Sequence, residues 1–362
     1  MNMFRLKGCF IVVLLGTVFS VTHGEEPPFT PSSEPITELI DYFNFCDYEQ
    51  GNINEVLRIR LEFDRRRFFR TRSRERYQPA VLSFTGTNGK TVRKEVRIRT
   101  RGNFRKSYCD FPPIRISFSG ENDTVSPPVP AMKIVTHCRS AGTFEQYLLK
   151  EYLVYRLYNL LTDNSIRVRL LRVEYVDSRG RKNSIIRYAF LIESEKQIEN
   201  RLNGSFLGKE EISIVKTDYE TCQILSLFQY MIGNIDWSIM KQHNVEIMGP
   251  EDEQISRPVP IPYDFDYCGL VNAHYAVPHK DLAIASVRER KYMGVCLQEQ
   301  EFYRFFNIFH EKKPAFMQMI SSFELLEESE REDVAGYLEE FYLMIENENH
   351  VKTRIMRECL GS

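Results

Sequence analysis

The feature that most constrains this chain is a change of hydrophobic period part-way along it. Leu57, Ile59, Leu61 and Phe63 alternate with Arg58, Arg60 and Glu62, the pattern of a strand with one buried face. Ala80 to Phe84 and Val92 to Ile98 repeat it on either side of Gly86-Thr87-Asn88-Gly89, a hairpin turn signal, and Pro113 to Phe118 adds a further strand. From Phe144 to Leu161 the period becomes helical, with Leu149, Leu153, Leu157 and Leu160 on one stripe that no Pro or Gly interrupts. Val168 to Tyr175 and Tyr188 to Ile192 return to strand around the turn at Asp177-Ser178-Arg179-Gly180. Thr221 to Ile232, Gln300 to His310, Pro314 to Phe323 and Arg331 to Ile345 then read as helices. The chain is predicted to be α+β. A β-rich front over residues 36–195 and a helical rear over 196–362 suggest two lobes with a cleft between them.

The ends and the composition narrow the function classes. Arg5 and Lys7 precede an apolar run from Cys9 to Val21, and Thr22-His23-Gly24 offers small residues for a peptidase, so residues 1–24 read as a signal peptide and the protein as exported. Residues 25–35, rich in Pro, Ser and Thr, are expected to be a disordered lead-in. No later run approaches the roughly 18 apolar residues of a spanning helix, so no membrane span is expected after cleavage. The formal charge of −2 would fall further with loss of Arg5 and Lys7, which argues against a nucleic-acid partner. Cys46, Cys109, Cys138, Cys222, Cys268, Cys296 and Cys359 remain after cleavage, without zinc-ligand spacing. Their odd number leaves at least one thiol outside any intrachain disulfide. The arginines from Arg65 to Arg76 read as a solvated face, although Phe68 and Phe69 keep open a patch for an acidic partner.

Chemistry concentrates in Gly233-Asn234-Ile235-Asp236-Trp237-Ser238, His243-Asn244 and Pro262-Tyr263-Asp264-Phe265-Asp266. Carboxylate and amide oxygens are the ligands Mg2+ or Mn2+ prefers, and one acid left free can accept a proton from a hydroxyl. Taken alone, Asp236 reads as a turn cap more readily than as a base; the neighbouring Asn244, Asp264 and Asp266 tilt it toward chemistry. His243 is expected to brace the loop. Lys133 is centred in the apolar strand Ala131 to Val135, and reads equally as a snorkelling surface lysine and as a phosphate contact held by Glu145 or Glu151 of the following helix. The basic turn Arg101-Gly102-Asn103-Phe104-Arg105-Lys106 is a weaker phosphate-contact signal.

At these residues the chain resembles the spore-coat protein H (CotH) kinase family, and looks closest to its uncharacterised exported bacterial members. The resemblance runs from the Arg101 turn through Met132-Lys133, the Phe144 to Leu161 helix and the Tyr188 to Glu193 strand to Asp266, about half of the chain. It implies a two-lobed atypical protein-kinase-like fold, with Asp236 catalytic, Asn244 and Asp264 holding metal and Asp266 sharing it. It also implies that Lys133 and Glu193 lie on the ATP side. Of the two helix acids, Glu151 is taken with them as the residue that holds Lys133. The usual serines after Asn103 are missing, and the gap between Asp236 and Asn244 is long for a kinase.

The expected activity is transfer of phosphate from ATP to a protein hydroxyl with Mg2+ or Mn2+. Its rivals are nucleotidyl transfer, metal-dependent hydrolysis and a non-catalytic binding scaffold. The identity of the protein substrate is not written in the sequence.

Overall fold

The structure is a computed structural model that describes residues 43, 45, 52–72, 76–86, 89–118, 130–208, 212–250 and 257–359. The expected signal peptide, the lead-in and Cys46 lie outside these residues. Within the rest, seven strands lie over segments read as strands: β1 (Leu57–Phe63), β2 (Gln78–Thr85), β3 (Thr91–Thr100), β4 (Ile114–Ser117), β5 (Met132–Thr136), β6 (Val168–Asp177) and β7 (Ile185–Ile192). Ile59, Leu61 and Phe63 of β1 are buried while Arg58 and Arg60 are exposed, as the period of two requires. In β7 the run Ala189, Phe190, Leu191 is buried continuously, because both faces of that strand are covered.

The two-lobed, protein-kinase-like arrangement is corrected here. The strands close into one mixed barrel in the order β1-β2-β3-β4-β5-β7-β6. Closure comes from a parallel pairing of β1 with β6, from Leu57 opposite Leu171 to Phe63 opposite Asp177, which leaves the barrel no open edge. The rear helices do not form a separate body. One apolar core continues from Leu61 and Ile98 in the barrel through Leu153 and Leu157 to Phe309, Leu338 and Phe341 at the rear. The molecule is α+β, with the barrel and helices sharing a core.

Short helices α1 (Arg65–Arg70) and α2 (Phe104–Tyr108) interrupt the strands, and the long helix α3 (Gly142–Leu161) packs against β6 and β7. After the barrel come α4 (Glu195–Leu202), β8 (Gly204–Phe206), α5 (Tyr219–Met231), β9 (Val245–Pro250) and β10 (Val259–Pro262), then α6 (Glu299–Ser322), α7 (Glu328–Glu346) and the single turn α8 (Glu348–His350). Strands β8, β9 and β10 form a second, three-stranded sheet. Helix α6 packs against both α3 and α7.

Two local expectations change as well. The arginine run is partly inside: Asp64 caps α1 by accepting the Arg67 N–H at 2.9 Å, and Arg65 and Phe68 are buried. The Arg65 guanidinium donates to the Asn183 carbonyl at 2.7 Å, so this cation has a structural partner. The helices expected on either side of Pro314 are one helix, because Phe302, Phe305, Phe309, Phe316 and Ile320 hold a single buried face across the proline. Disulfides join Cys109 to Cys138 and Cys296 to Cys359, while Cys222 and Cys268 are buried thiols. Among the described residues no helix is long and apolar enough to cross a membrane.

Candidate functional site

Asp236 is set by the turn that ends α5. Gly233 has φ +65°, and a Cβ there would collide with the Tyr337 hydroxyl, so the chain passes α7 closely. Asn234 is buried; its Oδ1 accepts the Asp236 N–H at 3.0 Å and its Nδ2 donates to Gln229 Oε1 at 2.9 Å. The Trp237 indole N–H donates to the Asn234 carbonyl at 3.1 Å. These bonds fix the backbone from which the Asp236 carboxylate projects. His243 returns through a bridge with Ser238 and places Nε2 at 2.7 Å from Asp236 Oδ1, the bracing role expected of it.

Asn244 joins this carboxylate to the second acid loop. Its Nδ2 donates to the Asp236 carbonyl at 2.8 Å and to Oδ2 at 3.0 Å, which leaves its own Oδ1 to face elsewhere. The β9–β10 hairpin pairs Pro262 with Val245, and the Tyr263 N–H donates to the Asn244 carbonyl at 3.0 Å. Two segments that are separate in sequence thus lie side by side. Asn244 and Asp264 both adopt left-handed backbone, at φ +50° and +61°, a conformation that non-glycine residues seldom hold without tertiary support. For Asp264 that support includes its N–H donated to the Tyr155 hydroxyl of α3 at 2.9 Å.

The same helix supplies Glu151. One oxygen each from Glu151, Asp264 and Asp266 lies within 4.8 Å of the other two. Glu151 and Asp266 are buried, whereas Asp264 is an exposed residue whose carboxyl faces the buried pair. Arg105 of α2 stands against them: its Nη2 is 2.6 Å from Glu151 Oε2 and 2.8 Å from Asp266 Oδ2. Tyr275 also donates to Asp266 Oδ2, at 3.0 Å. Burial pushes the Glu151 carboxyl up to about 8, and Arg105 opposes that shift. Desolvation and then the Asp266 charge push Asp264 up to about 6, against Arg105 and Arg101. The cluster is short of positive charge.

The remaining residues singled out from the sequence are placed differently. Lys133 is not held by the helix acids: its Nζ is 2.6 Å from Glu195 at the start of α4. Glu145 instead accepts the Tyr188 N–H at 2.7 Å. Glu193 is buried with its two oxygens 2.9 and 2.8 Å from Arg201 nitrogens, and Oε2 also accepts the Arg167 N–H at 3.0 Å. Asp236, Asn244, Asp264, Asp266 and Glu151 therefore form one group, whereas Glu193 belongs to an ion pair with Arg201. Arg101 makes no hydrogen bond through its side chain among the described residues, yet interacts electrostatically with Asp264 and Glu151.

The sequence reading missed Arg105 as the counter-ion of the acids, and Tyr155 and Tyr275 as their hydroxyl partners. Arg105 and Asp266 are 161 positions apart, and no local pattern announces such a pair. The basic turn that contains Arg105 was the one available signal. No family model matches the chain, and no curated protein matches it.

Proposed function

We propose that the protein is an exported phosphotransferase that moves the terminal phosphate of ATP to a protein hydroxyl with Mg2+ or Mn2+. The observation that carries this reading is the convergence of Glu151, Asp264 and Asp266 within 4.8 Å beside the Asp236–Asn244 pair. The donor set fits a hard divalent cation: Asp264 has no hydrogen-bonded partner for its carboxylate among the described residues, and Asn244 keeps its amide oxygen. Asp264, Asp266 and Asn244 would hold the ion, with Glu151 behind them. When bound, that ion neutralises charge on the phosphate oxygens.

The chain's own residues do the rest. Asp236 accepts the proton of the attacking hydroxyl as the new P–O bond forms and the bond to the departing ADP breaks. His243 and Asn244 hold the two Asp236 oxygens in place. Arg101, whose side chain makes no hydrogen bond among the described residues, and Lys133, which is paired with Glu195, would supply positive charge on the phosphate side. The resemblance of the Asp236, Asn244 and Asp264 segments to the CotH kinase family supports the same assignment. The two disulfides support export, since such bonds persist in oxidising compartments.

One observation favours a second reading. Arg105 already bridges Glu151 and Asp266, and a guanidinium in that position can make the acids a structural ion-pair network in a non-catalytic scaffold. Incubation with γ-labelled ATP and Mn2+ across a panel of exported proteins separates the two. The phosphotransferase labels an acceptor, and Asp236→Ala and Asp264→Ala each abolish the label. Labelling that survives both substitutions removes the assignment.

A further inference from the structure

Helix α2 sends two neighbouring side chains in different directions. Arg105 reaches the buried acids, 2.6 Å from Glu151 and 2.8 Å from Asp266, while Phe104 beside it is 42% exposed. It is the one phenylalanine among the exposed large apolar side chains of the described residues. Its ring is nevertheless held on several sides. It stacks on Tyr108 with centroids 4.8 Å apart and planes 17° apart, and Tyr267 and Tyr275 each stand 5.8 Å from it. Tyr108 and Tyr275 in turn pack against Phe144 and the Cys109–Cys138 disulfide, and the Tyr108 hydroxyl lies 3.0 Å from His274 Nε2. Four rings from two segments thus form a shelf on a cross-linked base, which offers contact area at little entropic cost.

The shelf adjoins the acids. Tyr275 spans the two, with its ring against Phe104 and its hydroxyl donating to Asp266 Oδ2 at 3.0 Å. The chain's own tyrosine therefore shows the reach: a phenol laid beside Phe104 carries its oxygen to the carboxylates. Tyr267 follows Asp266 directly, and its pKa is raised by burial and then by the charges of Asp266 and Asp236. Asp236 is the carboxylate assigned to the incoming hydroxyl, so the shelf stands on the acceptor side of the site.

We propose that this shelf seats a tyrosine side chain of a partner protein, with its ring on the exposed part of Phe104 and its hydroxyl at the carboxylates. One residue then supplies both the aromatic contact and the hydroxyl, at a separation that a serine or threonine does not bridge. That the seated hydroxyl is the phosphate acceptor rests on the proposed function; the aromatic seat does not. On that reading the phenolic oxygen forms the new P–O bond, its proton passes to Asp236, and ADP leaves with the electron pair of the bond that breaks.

Three otherwise identical peptides with Tyr, Ser or Phe at one position test this, with γ-labelled ATP and Mn2+ and, separately, by fluorescence anisotropy without ATP. The expected result is label on the tyrosine peptide in preference to the serine peptide, and competition by the phenylalanine peptide. Phe104→Ala should raise KM and Kd for the tyrosine peptide roughly three- to tenfold with the KM for ATP unchanged, and Phe104→Trp, which keeps a stacking surface, should stay close to the wild-type protein. A merely structural Phe104 would lower the melting temperature without moving the preference for tyrosine over serine, and that result overturns the proposal. So does equal affinity for the three peptides, or a KM change confined to ATP, since the shelf would then belong to the nucleobase. Label on serine that is indifferent to Phe104 removes the shelf and leaves the phosphotransferase reading intact. Phe104-dependent binding of the tyrosine and phenylalanine peptides, in a protein that labels neither tyrosine nor serine, upholds the shelf and removes the phosphotransferase reading alone.

Discussion

Arg105 and Asp266 meet across the candidate site, the Nη2 nitrogen 2.8 Å from Oδ2, and the same guanidinium reaches Glu151. Arg105 therefore bonds both buried acids directly, while Arg101 acts on Glu151 only at longer range. Removing Arg105 leaves both without an ion-pair partner, and Arg105→Ala is expected to cost about 3–5 kcal/mol of stability. If the acids are also a metal seat, Mn2+ restores part of that loss, because a ligand that binds only the folded state raises its melting temperature. Thermal denaturation with and without Mn2+ makes the comparison. A Mn2+ shift no larger in the variant than in the wild-type protein would count against the seat.

The helix that carries Arg105 is tied down by the disulfide that follows it. Cys109 closes α2 and is bonded to Cys138 beyond β5, a separation of 29 residues, and the Phe111 N–H donates to the Cys138 carbonyl at 2.8 Å. A loop of that length corresponds to roughly 3–4 kcal/mol of restricted unfolded-state entropy. The double replacement Cys109→Ser/Cys138→Ser is expected to lose about that much in urea denaturation. Loss of the Cys296–Cys359 bridge, which joins segments remote from α2 in sequence, should leave Mn2+ affinity unchanged, whereas loss of Cys109–Cys138 should weaken it.

His137 gives the protein an acid-sensitive term. Its ring lies 4.8 Å from Phe111 and 6.1 Å from Tyr175, Nδ1 is buried without a hydrogen-bond partner among the described residues, and burial lowers its pKa from 6.5 to about 3, with Arg187 and Arg65 adding to the shift. The unfolded chain therefore takes up a proton that the folded protein refuses. Stability from this group is intact above pH 6.5 and falls as pH drops from 6.5 toward 3, by about 1.4 kcal/mol per pH unit. In His137→Phe that contribution to the slope disappears. Urea midpoints measured between pH 7 and pH 4 in both proteins read the difference directly; parallel curves would show that His137 titrates normally.

What could be read in advance, and what could not, follows from the range of the interactions. The alternation of Leu57 to Phe63 is local and specifies a strand, and the leucine stripe of α3 is equally local. Which strand edges meet is not local: β1 pairs with β6, more than a hundred residues on, and that pairing turned an expected lobe into a closed barrel. At the site, the motifs around Asp236, Asn244 and Asp264 stood out because Gly, Asn and Pro mark the turns that bring them together. Lys133 was matched to acids on the wrong helix for the same reason that Arg105 was overlooked. A side chain of that length reaches whichever acid the fold places near it, and spacing in the sequence does not say which.

The close passage at Gly233 makes the last prediction. Gly233 combines φ +65° with a position where a Cβ would overlap the Tyr337 hydroxyl, and the carbonyl of Gly233 accepts the Gly269 N–H at 3.0 Å. Gly233→Ala thus meets two costs: about 1–2 kcal/mol for a left-handed alanine, and the displacement of a buried tyrosine whose hydroxyl donates to the Arg288 carbonyl. Tyr337→Phe removes the second cost and leaves the first. In a double-mutant cycle the two substitutions are therefore expected to be less harmful together than the sum of their separate effects, by roughly 1–2 kcal/mol. Because Asn234 and Asp236 follow directly, phosphate transfer should fall in Gly233→Ala and recover in part in the double variant. Strict additivity in urea denaturation would show that α7 does not press on this turn, and that Asp236 owes its position to the Asn234 hydrogen bonds alone.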